Sequence, residues 1–360
     1  MAHRWADLTP TQERACTELL NLGGTRPEFD RQVAVRLRNE LESKARSALA
    51  RSAADGGNAL DGHGGHVDPG GTAPARPLLM VSKRTLAFVH QCERHLIADQ
   101  QEPFEWTAAT ACGTLAHKAI ELGIHMDEEV PPTRLVGLAI DRMIADDQGP
   151  AQWLLTASEG ELAELRSAAI DAVTKFDDSF PPIRLGWRPR VESRLRLSLA
   201  EGRIELSGKV DLALGRARPT THGGQARTLI IDLKTGGPGV HHAADLRFYA
   251  LLETLRVGVP PFRLASFYLD AGEWRCEDVD EDLLWATARR TTDGIERLIA
   301  LLLAGDEPTE TPGAQCRWCR AQADCATGKA WLADQPHSER DFAEPSATAP
   351  ARRPRPPTAP

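Results

Sequence analysis

A chain of 360 residues with 43 basic and 51 acidic side chains carries a formal net charge of −8, with 41% hydrophobic and 26% charged residues. These proportions are ordinary for a globular protein, and the length suffices for one large domain or two small ones with a well-buried core. No apolar run approaches the roughly 18–20 residues of a membrane span, which excludes a helical membrane protein. The acidic balance excludes coating of nucleic acid by bulk charge, though not a locally basic groove around an acidic site. The first residues, MAHRWADLTPTQERAC, have no apolar core of a secretory signal. A cytoplasmic, reducing location is therefore expected, where seven cysteines point to metal binding or catalysis rather than to disulfides. Only seven basic residues are lysines, so a lysine beside carboxylates stands out.

In chain order, residues 1–54 read as a helical N-terminal extension, with Phe29, Val33, Leu37, Leu41 and Leu49 at helix-like steps between charges. Residues 55–77 are a Gly/Pro-rich linker that contains His63 and His66, and residues 333–360 form a Pro/Ala/Arg-rich tail expected to be disordered. The body, 78–332, opens with a helix over 82–98. A second helix starts after Cys112 and runs to 125, and others cover 133–146 and 158–177. Three strands follow, at 188–199, 203–214 and 227–234, the last with the continuous apolar run of a central strand. A Gly/Pro break precedes a helix over 241–257. A strand at 263–269 comes next, with GEWRCEDV as its hairpin partner, and a last helix spans 280–304. This order predicts an α/β fold with a mixed sheet.

Asp211 lies near the end of the second strand, and Asp232 and Lys234 at the end of the third, in IIDLKTG. Residues i and i+2 of a strand share a face, so Asp232 and Lys234 emerge together. If the two strands are neighbours, Asp211 lies across from them. Two carboxylates and an ammonium on one sheet edge are costly to bury, and a divalent cation such as Mg²⁺ would compensate them. Such a centre suits phosphodiester hydrolysis, with Lys234 orienting water and stabilising negative charge. A plain salt bridge among strand-end residues is the alternative.

VDLALG followed by IIDLKTG resembles the PD-(D/E)XK nuclease superfamily, in particular its RecB-like branch. The order helix, three strands, helix, strand is that superfamily's restriction-endonuclease-like core. The resemblance implies a metal-dependent (exo)deoxyribonuclease using Mg²⁺ or Mn²⁺, with Asp211 and Asp232 as metal ligands and Lys234 as catalytic residue. GTLAHKAIE resembles the branch's G-x-x-x-H motif, which makes His117 a further metal ligand. Tyr249 resembles the tyrosine of a Q-x-x-x-Y motif, though Asp245 stands where the glutamine belongs; a core aromatic is the other reading. Glu192 sits where some members carry a strand glutamate, and an exposed strand residue is the simpler expectation.

Cys316, Cys319 and Cys325 form C-x2-C-x5-C, a spacing suited to zinc or an iron–sulfur cluster. A fourth ligand is needed. VSKRTLAFVHQCERHL resembles the upstream segment of iron–sulfur RecB-like nucleases, similar to the AddB nuclease domain and CRISPR-adaptation exonucleases. That resemblance implies a 4Fe–4S cluster on Cys92, Cys316, Cys319 and Cys325, which would staple the first helix of the body to its end, with zinc as the alternative. Cys112 competes for the fourth position; Cys16 and Cys276 read as buried thiols. Arg184, Arg188, Arg190, Arg194 and Arg196 could meet phosphates or form a solvated strand face. No Walker A motif occurs, so the chain acts alone on DNA ends or single strands, or a helicase works in trans. Repair, recombination or defence are the expected settings. A non-catalytic DNA-binding or scaffold protein that kept the nuclease fold is the rival reading, prompted by Asp245.

Overall fold

The computed structural model describes residues 7–54, 77–101, 104–126, 128–239 and 241–335. His63, His66 and the basic run of the tail lie outside them.

The first 54 residues are helical only in part. Helix α1 (Pro10–Arg14) continues into a wide turn over 15–19, a short strand β1 (Glu28–Asp30) follows, and α2 (Arg31–Ala54) then runs for six turns. Leu37 and Leu41 of α2 are fully buried, in the same cluster as the sheet and the last long helix.

The expected helix over 82–98 is three elements. Strand β2 (Leu79–Ser82) leads into α3 (Lys83–Gln91), and α4 (Glu93–Gln101) follows after Cys92 adopts an extended conformation. Ser82 caps α3: its Oγ accepts from the Thr85 N–H, and the Ser82 N–H donates to Thr85 Oγ1, satisfying donors the helix start leaves free. Helix α5 (Ala108–His125) begins earlier than expected, capped by Thr107, so Cys112 and Gly113 lie inside it. Helices α6 (Pro132–Ala145), α7 (Ala151–Thr156) and α8 (Glu159–Ser179) come next.

Strands β3 (Arg190–Leu199) and β4 (Ile204–Leu214) form an antiparallel hairpin. Two short strands, β5 (Arg218–Pro219) and β6 (Gly223–Gln225), pair with each other, and β6 pairs with β1, tying the N-terminal region to the body. The rest is β7 (Leu229–Lys234), α9 (His242–Val257), β8 (Arg263–Tyr268), β9 (Glu273–Asp278), α10 (Glu281–Ile299) and α11 (Ala326–Asp334). The hairpin expected after β8 is present, but Cys276 on β9 is exposed rather than buried.

The main sheet is mixed, in the order β2-β4-β7-β8-β9, with β3 along the other edge of β4. Helices α2, α3, α9 and α10 pack on one face, and α5, α6 and α8 on the other. One edge of β4 is shared by two strands. Parallel β2 pairs with residues 204–207, and antiparallel β7 with residues 212–214. Between them, residues 208–211 pair with neither.

Glu93 anchors the returning C-terminal segment. Its buried carboxylate accepts from Arg297 Nε at 2.7 Å and from the Thr309 N–H and hydroxyl at 2.8 and 2.7 Å. Because α2 shares the body's core, Leu37→Ala is expected to cost about 2–5 kcal/mol of stability, read from urea unfolding of the full chain. A change near zero would show that α2 is a detachable extension.

Candidate active site

The site forms where the β4–β7 ladder stops. Leu212 pairs with Ile231, and the next step of that register sets Asp211 opposite Asp232. The strands separate there instead of pairing. Asp211 Oδ2 fills the gap by accepting the Leu233 N–H at 2.8 Å, so a carboxylate replaces a ladder carbonyl and holds the fork open.

On the α5 side, His117 Nε2 lies 3.0 Å from the Leu233 carbonyl oxygen. An oxygen with no hydrogen can only accept, so Nε2 carries the proton and donates it. The lone pair of a neutral ring then sits on Nδ1, which faces Asp211 Oδ1 at 3.8 Å and Glu192 Oε1 at 4.0 Å. Gly113 lets α5 come this close: a Cβ there would lie 2.9 Å from Thr235 Oγ1. Among the described residues, His117, Glu192 and Asp211 are the group whose ligand atoms lie within 4.8 Å of one another. Three acceptors facing one point, with no direct hydrogen bond between them, suit a cation.

Glu192 was expected on the exposed face of its strand. It is half-buried and joins the cluster because its backbone is left-handed, with φ +50°, a conformation that a non-glycine strand residue adopts only under constraint. It stands opposite Asp211 in the β3–β4 register, and Lys209 pairs with it. At this level the sheet's alternation slips. Ile204, Leu206 and Val210 of β4 face the α9 side, whereas Leu212 and Leu214 face the α5 side.

The second half of the site lies on the α9 side. Asp232 is 1% exposed. Lys234 Nζ lies 2.5 Å from its Oδ2 in a close, buried ion pair. Lys83, the first residue of α3, places Nζ 3.3 Å from Asp232 Oδ1, 3.6 Å from Asp245 Oδ2 and 5.1 Å from the Tyr249 ring centre. Tyr249 is itself 2% exposed and occupies the space left by Gly208, where a Cβ would meet its ring at 2.5 Å. Sequence reasoning missed Lys83. Its only signal was a lysine at the start of a capped helix.

Charge explains the protonation states. Burial pushes the Asp211 carboxyl up; His117 opposes this and Asp232 adds to it. Burial also pushes Asp232 up, but Lys83 and Lys234 outweigh it and hold that carboxyl below its usual range. Asp245 is raised by burial, with Lys83 opposing. Burial pushes the Tyr249 phenol up to about 12. The structure thus brings His117 and Asp211 together with Glu192, and Asp232 and Lys234 together with Lys83, Asp245 and Tyr249. Asp232 was expected in the metal-ligand set; in the compact trio its place is taken by Glu192.

The four cysteines line one cavity, together with His95, Thr311, Gln315 and Gly328. Cys92 is among them and Cys112 is not; burial pushes the Cys112 thiol, on α5, up to about 11. The Gly328 N–H donates to Cys325 Sγ at 3.3 Å and the Gly313 N–H to Cys316 Sγ at 3.5 Å. A Cβ at Gly328 would lie 3.3 and 3.4 Å from the sulfurs of Cys316 and Cys325. Of the expected phosphate-binding arginines, Arg190 is paired with Glu253 and Arg196 with Glu205.

A model of the PD-(D/E)XK nuclease superfamily matches residues 85–326. The chain belongs to that superfamily. The match spans the fork, His117 and all four cavity cysteines. Comparison with curated proteins finds no match. Among solved structures, the chain is similar to a "Putative exonuclease" from Eubacterium rectale at 11% identity and a TM-score of 0.41, covering 67% of this chain and 87% of that one. Among the described residues, no helix is long and apolar enough to cross a membrane.

The raised Asp211 carboxyl has a measurable consequence. Its charged form costs stability above the ordinary carboxylate range and costs nothing below it, where the group is protonated both folded and unfolded. Asp211→Asn is therefore expected to stabilise the chain in EDTA at neutral pH. That gain should fade on acidification, as followed by thermal unfolding. A destabilised variant would mean that the Leu233 hydrogen bond outweighs the charge.

Proposed function

We propose that this chain is a metal-dependent deoxyribonuclease of the RecB-like branch, an exonuclease acting on DNA ends or single strands, with an iron–sulfur staple. The observation that carries the reading is the open β4–β7 fork, with Asp211 and Asp232 opposed across it and Lys234 on Asp232. Asp211, His117 and Glu192 would hold a divalent cation, Mg²⁺ or Mn²⁺, with Asp232 completing the site from the other side. The donor set fits, through the acceptors of His117, Glu192 and Asp211 that converge on one point. When bound, such a cation supplies Lewis acidity toward a phosphate oxygen and water.

The chain's own groups do the rest. Asp211, fixed by the Leu233 N–H, keeps one oxygen aimed into the fork. His117, locked by the Leu233 carbonyl, keeps Nδ1 toward the same point. Lys234 presents its ammonium where a phosphate oxygen gains charge and where an attacking water must be oriented. Tyr249, kept neutral by burial, shapes the floor under Lys83. DNA is the substrate, and a helicase acting in trans would supply ends or single strands.

Cys92, Cys316, Cys319 and Cys325 would hold the 4Fe–4S cluster. Backbone N–H donors to two of the sulfurs support this, as such bonds stabilise cluster thiolates. Zinc on the same four thiolates is the alternative. The cluster's role is to staple α3 and α4 to the segment before α11, converting metal-binding energy into folding energy.

Asp232→Ala and Lys234→Ala are each expected to lower Mg²⁺-dependent cleavage of single- and double-stranded DNA by about 10³-fold or more, with circular dichroism unchanged and EDTA abolishing wild-type activity. Full activity in either variant would move the catalytic centre elsewhere. Anaerobically purified protein is expected to be brown and to contain iron and acid-labile sulfide. Cys316→Ser should lose both the colour and thermal stability, whereas stoichiometric zinc in colourless protein would replace the cluster.

A further inference from the structure

Resting on the divalent-cation reading above, we propose that Lys83 is the resident counter-ion of Asp232 and that Asp245 draws it aside, the pair setting how tightly the site takes up a divalent cation. Asp232 is enclosed by two ammonium groups, Lys234 on Oδ2 and Lys83 on Oδ1. A carboxylate held between two cations is a poor ligand for a third, because each ammonium repels the arriving charge at close range in a site with little water. Among the described residues, Lys234 makes its ion pair with Asp232 alone, whereas Lys83 reaches a second carboxylate. Its Nζ is 3.3 Å from Asp232 and 3.6 Å from Asp245, so a small movement transfers it from one to the other.

Three features make that movement feasible. The Lys83 side chain is 30% exposed, whereas those of Asp232 and Asp245 are 2% and 10% exposed, so the lysine is the partner with room to move. The Tyr249 ring lies 5.1 Å from Nζ, and its π face attracts an ammonium whichever carboxylate holds it. The backbone under Lys83 is fixed by the Ser82–Thr85 capping box and by β2, so only the side chain needs to swing. Asp245 gives the ammonium a second carboxylate to move to as it leaves Asp232.

Mn²⁺ binding to the full chain, freed of divalent cations with its cysteine-bound metal retained, followed by electron paramagnetic resonance at fixed pH, tests this, with circular dichroism checking the fold. Lys83→Met is expected to bind Mn²⁺ about tenfold tighter than wild type, and Asp245→Asn about tenfold weaker. The double variant Lys83→Met/Asp245→Asn should bind like Lys83→Met alone, because Asp245 acts through the lysine. Lys83→Gln serves if the methionine variant misfolds. Unchanged or weaker binding on removal of Lys83 overturns the assignment. So does an Asp245→Asn effect of equal size with and without Lys83, which would make Asp245 a plain charge. Asp211→Asn separates the two readings. If wild type binds no Mn²⁺, or Asp211→Asn binds as well as wild type, the divalent-cation reading fails and this one with it. If Asp211→Asn alone loses Mn²⁺ and the Lys83 variants match wild type, only the role of Lys83 is refuted.

Discussion

Two strands meet end to end along one edge of a third, and the break between them makes a site of this sheet. Strand β2 leaves β4 at Ser207 and β7 leaves it at Leu212. The four residues between would ordinarily need ladder partners. Here the Asp211 carboxylate takes the Leu233 N–H and the His117 ring takes the Leu233 carbonyl. Side chains thus satisfy backbone groups that a neighbouring strand would otherwise satisfy. The same substitution aims a carboxylate oxygen and an imidazole nitrogen at one point.

That constraint explains the density of charge. Three of the chain's seven lysines, Lys83, Lys209 and Lys234, pair with carboxylates at this break. Buried carboxylates so close together raise each other's protonation tendency, and the ammonium groups decide which of them stay charged. Asp232, with two ammoniums, is held ionised, whereas burial pushes Asp211 toward the neutral form with His117 opposing. The site is therefore asymmetric: on the α9 side Asp232 meets two ammonium groups, and on the α5 side Lys209 meets Glu192 alone. Its charge costs stability, a common trade at functional sites.

The cysteine cavity depends on a second constraint, the return of the chain after α10. Glu93 bonds to Arg297 and Thr309, and this places the segment carrying Cys316, Cys319 and Cys325 against the kink at Cys92. The extended conformation of Cys92, between α3 and α4, turns a residue expected within one helix into a wall of the cavity.

The chain's periodicities and short strings of chemically committed residues were enough to establish an α/β order, the strands around Asp211 and Asp232, and the candidacy of Lys234 and the clustered cysteines, while His117 was singled out by the resemblance of GTLAHKAIE to a family motif. Those features are local: alternation, spacing and the rarity of lysine and cysteine are properties of a few consecutive residues. Lys83, the inward turn of Glu192 and the partner of Asp245 were not legible, because each owes its place to something non-local. Lys83 arrives because a strand hidden in an apparent helix start pairs with β4 and stops at Ser82. Glu192 turns inward because its backbone takes a left-handed conformation opposite Asp211, against the alternation its neighbours obey. Sequence by itself determined which chemistry the chain carries, since side-chain type is encoded residue by residue. Only the tertiary structure decided which groups share a charge, since that depends on strand register and on where ladders end.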